Sequence, residues 1–229
     1  MDEKDAKSNW SPPKSHLDVG TTTHQGVNAG RVQGRRLTGP QQGFGKMWQK
    51  NYKVAIPNQT PKQVISTWKA EYGRFWPSNS KFFAPMAGIQ PGEVGLIKST
   101  SGPVALSTGV LVLYSDDVSF SYMTPEGHPF AGFITFSAHA EDPVGTVAQA
   151  QLLIRANDPA YEAGMMLFGS KAEDRMWQHT LRSLADYLGS SSPVDTKVIC
   201  VDQKRLWKNF KNLRYNGALP WVRSSKPRP

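Results

Sequence analysis

The sequence predicts an α+β domain in which a largely antiparallel sheet packs against helices. Three observations carry that reading. Residues 118–138 (VSFSYMTPEGHPFAGFITFSA) alternate apolar and polar side chains on either side of a turn of about six residues, as a hairpin with one apolar face does. Residues 60–76 and 158–188 instead repeat their apolar positions at spacings of three and four, as helices with one buried face do. The elements come as strand, helix, connection, meander of strands and final helix, an order that belongs to α+β domains.

Residues 1–42 are rich in Ser, Thr, Gly, Gln, Asn and Lys and poor in aliphatics. Such a segment buries too little apolar area to offset its backbone entropy, so a disordered polar tail is expected. Arg31, Arg35 and Arg36 lie among Gly26, Gly30 and Gly34, but no strand precedes them, so this is no dinucleotide fingerprint. Order is expected from residue 43. Trp48, Tyr52, Val54 and Ile56 share one face of a first strand, which Lys50 interrupts. Thr60 suits an N-cap, Pro61 the first helical position, and Gln63 completes a capping box. Val64, Ile65, Trp68, Tyr72, Phe75 and Trp76 then line one helical face, and Gly73 and Pro77 close it. Residues 78–91 form a connection that tucks Phe82, Phe83, Met86 and Ile89 against the core, with room for a further strand.

Strands follow at 93–99 and 104–114, where Val110, Val112 and Tyr114 oppose Leu111 and Leu113. The hairpin comes next, then a strand at 146–155 with Ala148, Ala150, Leu152 and Ile154 on its apolar face. Asp158 and Pro159 start the longest helix. Its stripe runs through Tyr161, Met165, Phe168, Ala172, Met176, Trp177, Leu181, Leu184 and Leu188. Gly164 and Gly169 each weaken it by about 1 kcal/mol relative to alanine, which favours a bend or break there. Residues 197–201 suit a short edge strand. Asp202 is placed to cap a helix carrying Leu206, Trp207, Phe210 and Leu213 between Lys204, Arg205, Lys208 and Lys211.

This succession resembles the helix-grip fold of the START-like or SRPBCC superfamily, which includes polyketide cyclases, plant pollen allergens and lipid-transfer domains. Residues 48–56, 60–76, 93–155 and 158–188 carry the resemblance. The run from Phe120 to Pro129, followed by Ala131-Gly132, is also similar to an uncharacterised bacterial branch of that superfamily. The resemblance implies a curved antiparallel sheet of about six or seven strands wrapped around a long C-terminal helix. It covers residues 43–190 and leaves 1–42 as a polar tail and 191–229 as a basic extension. It also implies an apolar cavity between sheet and helix. The sequence supplies Trp68, Tyr72, Phe75, Phe120, Tyr122, Phe133, Phe136, Met165, Met166 and Phe168 as lining candidates, in a setting where the same side chains also suit a solid core.

The net charge of +9 is unevenly spread. Residues 47–190 carry 11 Lys/Arg against 12 Asp/Glu, and residues 191–229 carry 9 against 2. A basic segment of this kind attracts nucleic acid or an anionic surface, or serves as a solubilising tail. Cys200 is the single cysteine, so no internal disulfide or cysteine metal cluster is expected. No apolar run is long enough for a membrane span and the first residues have no apolar core of a signal peptide, so a cytoplasmic protein is expected. No metal-binding spacing and no cofactor motif is present.

Candidates for chemistry are sparse. His128 lies in the hairpin turn, His139 two residues before Glu141 at a strand end, and Arg155 where the last strand leads into the long helix, within reach of a helix carboxylate or an anionic ligand group. Three functions stay open. One is binding of a hydrophobic or amphipathic small molecule without catalysis. The second is a cyclase- or hydrolase-type reaction in the same cavity. The third is nucleic-acid or acidic-surface binding through Lys204, Arg205, Lys208, Lys211 and Arg214 with Trp207, Phe210 and Tyr215.

Overall fold

The structure is a computed structural model, and it describes residues 6–19, 29–101, 104–166 and 170–218. Among the described residues nine strands form a curved antiparallel sheet: β1 (Leu37–Thr38), β2 (Met47–Ala55), β3 (Ser80–Phe83), β4 (Val94–Ser101), β5 (Val104–Ser115), β6 (Ser119–Pro125), β7 (Phe130–Glu141), β8 (Gly145–Ala156) and β9 (Asp195–Asp202). Their order is β3-β4-β5-β6-β7-β8-β2-β9, with β1 pairing off this path to β6. The expected count of six or seven is therefore corrected to nine. The connection at 78–91 holds β3, the basic extension supplies β9, and the N-terminal segment supplies the two-residue β1.

The central hairpin pairs Phe120 with Phe136 and Tyr122 with Ile134, so the alternation read from the sequence sets the register. Gly132 has a φ of +154°, and a Cβ there would stand 2.1 Å from the Leu153 carbonyl oxygen. Only glycine lets β7 lie this close to β8. Helix α1 (Pro61–Ala70) begins on the expected capping box, in which Gln63 N–H donates to Thr60 Oγ1 and Thr60 N–H donates to Gln63 Oε1. A 3-10 turn at Tyr72–Phe75 continues its buried face.

The long helix divides. Asp158 caps α2 (Pro159–Gly164) by accepting from Ala160 and Tyr161 N–H, and α3 (Ser170–Tyr187) follows after a wider π-type turn at Met165 and Met166. Gly164 lies at the end of α2, as its low helical propensity suggests. Trp177, Leu181, Leu184 and Ala185 of α3 bury themselves with Tyr52 and Val54 of β2 and Ala148, Ala150 and Leu152 of β8, so the concave face closes on this helix. This is the helix-grip arrangement.

Two expectations about the ends need correction. The described part of residues 1–42 is not a detached tail. Leu17, Val19, Val32 and Leu37 are buried in a second core against Val94 and Leu96 of β4 and Leu111 of β5. These strands are apolar on both faces, and their convex side has to be covered. Residues 191–218 do not stand apart either. β9 pairs with β2, and the expected α-helix after Asp202 is instead a nine-residue 3-10 helix, Trp207–Tyr215. Asp202 accepts from Lys204 N–H in the strand's exit and caps no helix.

Candidate functional site

The concave face of the sheet gathers rings from four elements. α1 contributes Trp68, the following turn Tyr72 and Phe75, β6 Phe120 and Tyr122, and β7 Phe136, each no more than 2% exposed. Tyr72 is the hub. Its ring centroid lies 5.3–5.7 Å from those of Phe136, Tyr122 and Phe120, and 4.6 Å from that of Phe82 on β3. Trp68 meets Phe136 edge-on at 5.1 Å, Phe120 stacks on Phe136 at 4.7 Å, and Phe136 touches Trp177 of α3 at 5.7 Å. Edge-to-face contacts at these distances are the favoured aromatic geometry. Five of the six expected lining residues on these elements thus pack ring against ring, and Phe75 joins the same core with its ring against Tyr187 at 5.6 Å.

Of the other four, Phe133, Met165 and Met166 are not brought together with them. Phe133 has the opposite parity on β7 and lies on the convex side, where its Cζ is 3.5 Å from the place a Cβ on Gly39 would take. Met165 is half-buried in the turn after α2, with Met166 exposed beside it. Phe168 lies outside the described residues.

Polar atoms interrupt this apolar interior at few places. Trp68 Nε1 and Tyr122 OH are buried and find no hydrogen-bond partner among the described residues. Burial pushes the Tyr72 and Tyr122 phenols well above their ordinary pKa, so both are neutral donors. A second polar group lies at the seam of β2 and α3. Lys50, on the concave face between Trp48 and Tyr52, places Nζ 2.8 Å from Glu173 Oε2 and 2.8 Å from Asp174 Oδ1. Tyr52 OH donates to the same Asp174 oxygen at 2.6 Å. Burial opposes the Lys50 ammonium, but the two carboxylates outweigh it and raise its pKa. Burial raises the Glu173 carboxyl above the usual range, while Lys50 pulls it back. Glu173 Oε1 makes no hydrogen bond of ordinary geometry, although the Trp177 indole helps to hold the carboxyl's pKa down. This group was hidden in the sequence, where Lys50 reads as a break in a strand pattern and its partners are more than 120 residues away.

A groove of about 320 Å³ lies at the surface beside α1. Ile65 and Ile89, both part of the aromatic cluster's core, line it together with Lys62, Lys69 and Asp117. Lys62 pairs with Asp117 at 2.6 Å, and Lys69 donates to the Asp116 carbonyl.

The residues expected to do chemistry are engaged elsewhere, His128 and Arg155 near one end of the β7–β8 pair and His139 near the other. His128 is buried in its turn, where Nδ1 accepts from Phe130 N–H at 3.0 Å; desolvation lowers its pKa to about 4 and keeps it neutral. His139 is exposed, 3.3 Å from Glu141 at the far end of β7. Arg155 is fully buried. Its Nη1 donates to the Gly45 and Lys204 carbonyls, and its Nη2 pairs with Asp202 on β9 rather than with a carboxylate of the long helix. Among the described residues no cluster of His, Cys, Asp and Glu suits a metal, and no helix is long and apolar enough to cross a membrane.

Comparison with protein-family models and with curated proteins gave no match. Among solved structures the chain is similar to a START superfamily protein from Mycobacterium smegmatis, with 18% identity, a TM-score of 0.45, and 63% of this chain and 97% of that one covered. It is also similar to the di-domain aromatase/cyclase StfQ of the steffimycin biosynthetic pathway (11% identity, TM-score 0.47, 63% of this chain and 51% of that one). A third likeness is to Ara h 8.0201 (9% identity, TM-score 0.45, 62% and 97%). At these TM-scores the likenesses carry no argument about function.

Proposed function

We propose that the protein binds a small amphipathic molecule against the aromatic cluster between the sheet and α3, without converting it. The observation that supports this reading is a pair of buried polar atoms in an otherwise apolar interior, Trp68 Nε1 and Tyr122 OH, with no hydrogen-bond partner among the described residues. Each such group costs on the order of 1–3 kcal/mol, and folded proteins leave few of them. Two neutral donors set among rings are what a ligand with an apolar body and one or two acceptor oxygens would satisfy. Ile65 and Ile89, shared by the surface groove beside α1 and the core, mark the approach this reading proposes.

The test is native mass spectrometry of the purified protein, followed by solvent extraction and then titration with a medium-chain fatty acid and with an aromatic carboxylic acid. A retained small molecule, or one-to-one uptake of a probe that Tyr122→Phe reduces, supports the reading. An empty protein that takes up neither probe defeats it.

A second reading is an enzyme of the cyclase or hydrolase type using the same interior. Its support is the Lys50–Tyr52–Glu173–Asp174 group, where a carboxyl with a raised pKa faces the rings and resembles the tuned acids of proton-transfer sites. Turnover of an added ligand that stops in Glu173→Gln would favour it over simple binding.

A further inference from the structure

Residues 207–215 read WKN-FKN-LRY, three triplets of apolar residue, cation and a third polar residue. The period of three is matched by the backbone. This segment is a 3-10 helix of nine residues, long for its type, and side chains three apart eclipse each other in such a helix. The triplet therefore becomes three straight rows. One row is Trp207, Phe210 and Leu213, the next Lys208, Lys211 and Arg214, and the last Asn209, Asn212 and Tyr215.

The third row fixes the helix to the domain. Asn209 Nδ2 donates to the Gln41 and Gly43 carbonyls at 3.0 and 2.7 Å, and Asn212 Nδ2 to the Gln42 and Asn157 carbonyls at 2.7 and 2.9 Å. At the far end Gly127, with a φ of +82°, lets the hairpin turn approach so closely that a Cβ would stand 2.4 Å from the Tyr215 carbonyl oxygen. The helix is held at both ends, and the other two rows have fixed places on the surface.

Those rows face outward. Trp207 is 69% exposed and Phe210 48%, with their rings 12° from parallel and 6.3 Å apart, both resting edge-on against Phe44. Lys208, Lys211 and Arg214 are exposed, and none joins an ion pair among the described residues. No acidic residue occurs from 203 to 217. One cation per turn gives a straight row with steps of about 6 Å, three residues at the 3-10 rise. An evenly spaced line of positive charge beside parallel exposed rings complements a polymer that carries one anion and one flat ring per unit.

We infer that the 207–215 helix is a binding face for single-stranded nucleic acid, with phosphates along Lys208, Lys211 and Arg214 and bases stacked on Trp207 and Phe210. Flexible single strands suit it because both the charge and the stacking face repeat along one line. An anionic membrane surface fits less well, since the apolar row fades from exposed Trp207 to half-buried Leu213 and gives no continuous edge to insert. The inference is independent of any ligand in the sheet's interior.

The experiment is fluorescence anisotropy of the full chain with a labelled 20-nucleotide poly-dT or poly-U strand across a range of salt. Three phosphate contacts contribute about −2 to the log–log salt slope of binding, at about −0.7 each for single strands, and the triple variant Lys208→Ala/Lys211→Ala/Arg214→Ala loses that amount. Trp207→Ala weakens binding about 5- to 150-fold, the range for one lost stacking contact. A control triple variant at exposed cations elsewhere, Lys81→Ala/Lys98→Ala/Lys197→Ala, changes net charge equally and keeps the slope. Equal losses in both triple variants, no binding at low salt, or binding to phosphatidylserine vesicles without binding to either strand would each overturn the inference. Because all these positions are exposed, circular dichroism melts are expected to match those of the parent.

Discussion

Lys50 Nζ stands 2.8 Å from Glu173 Oε2 and so joins β2 to the first turn of α3 by a charge pair in which both side chains are almost entirely buried. A buried pair of this kind is costly to break from one side. Lys50→Met, which leaves the Glu173 carboxylate without its counter-charge, is expected to lower unfolding free energy by about 3–5 kcal/mol. Lys50→Met with Glu173→Leu, which removes both charges and keeps the volume, is expected to recover most of that loss. Urea denaturation of the two variants decides the matter. Equal stabilities would mean that the pair contributes by packing alone.

His128 gives the protein a pH dependence of known sign. Its folded-state pKa of about 4 lies below the ordinary 6.5, so between these values the unfolded chain takes up a proton that the folded one refuses. The contribution is complete above pH 6.5 and is lost as pH falls towards 4. About 2.5 pKa units correspond to about 3 kcal/mol. Glu173 acts in the opposite sense, since its raised pKa makes stability decline as pH rises above 4.5. Comparing the parent with His128→Gln at pH 7.5 and 4.5 isolates the histidine: the parent is expected to lose more stability than the variant over this interval. Parallel profiles would exclude the effect.

Deleting residues 1–38 is expected to leave Val94, Leu96 and Leu111 uncovered, because Leu17, Val19, Val32 and Leu37 bury them in the intact protein. The predicted outcome is a lower melting temperature and stronger binding of a hydrophobic dye. A truncated protein that melts like the parent would restore the expectation of a disordered polar tail.

Phe136 touches Trp68, Tyr72, Phe120, Tyr122 and Trp177, and truncation at such a hub is expected to be severe. Phe136→Ala is expected to cost about 3–5 kcal/mol in thermal or urea unfolding. Tyr122→Phe removes only an unpartnered hydroxyl and is expected to change stability by less than about 1 kcal/mol while weakening ligand retention. The contrast separates the cluster's structural role from its binding role.

The features that local spacing controls were legible in the sequence. The hairpin's single apolar face, the Thr60–Gln63 capping box and the end of α2 at Gly164 all follow from neighbours a few residues apart. The six rings of the cluster were legible for the same reason, because parity and helical spacing point them to one side. Long-range pairings were not. Lys50 looks like a flaw in an apolar strand face until Glu173 and Asp174 are placed opposite it. Leu111 facing away from Val110 and Val112 was a visible sign that β5 is covered on both sides, yet the covering segment hid its four apolar residues among glycines and polar side chains. The last helix failed for a subtler reason. Its apolar residues at 207, 210 and 213 fit a helical spacing of three or four, whereas the complete triplet, with asparagine at 209 and 212, specifies a 3-10 winding.

The asparagine ties at 209, 212 and 216 also set a timetable for synthesis. Asn212 bonds to the carbonyls of Gln42 and Asn157, and Asn216 Nδ2 donates to Asp158 Oδ2, so the junction of the first strand's approach and α2 is closed by residues made after both segments they tie. A nascent chain halted before residue 209 can pair its strands, but it presents those carbonyls and the Asp158 carboxylate unsealed to chaperones and proteases.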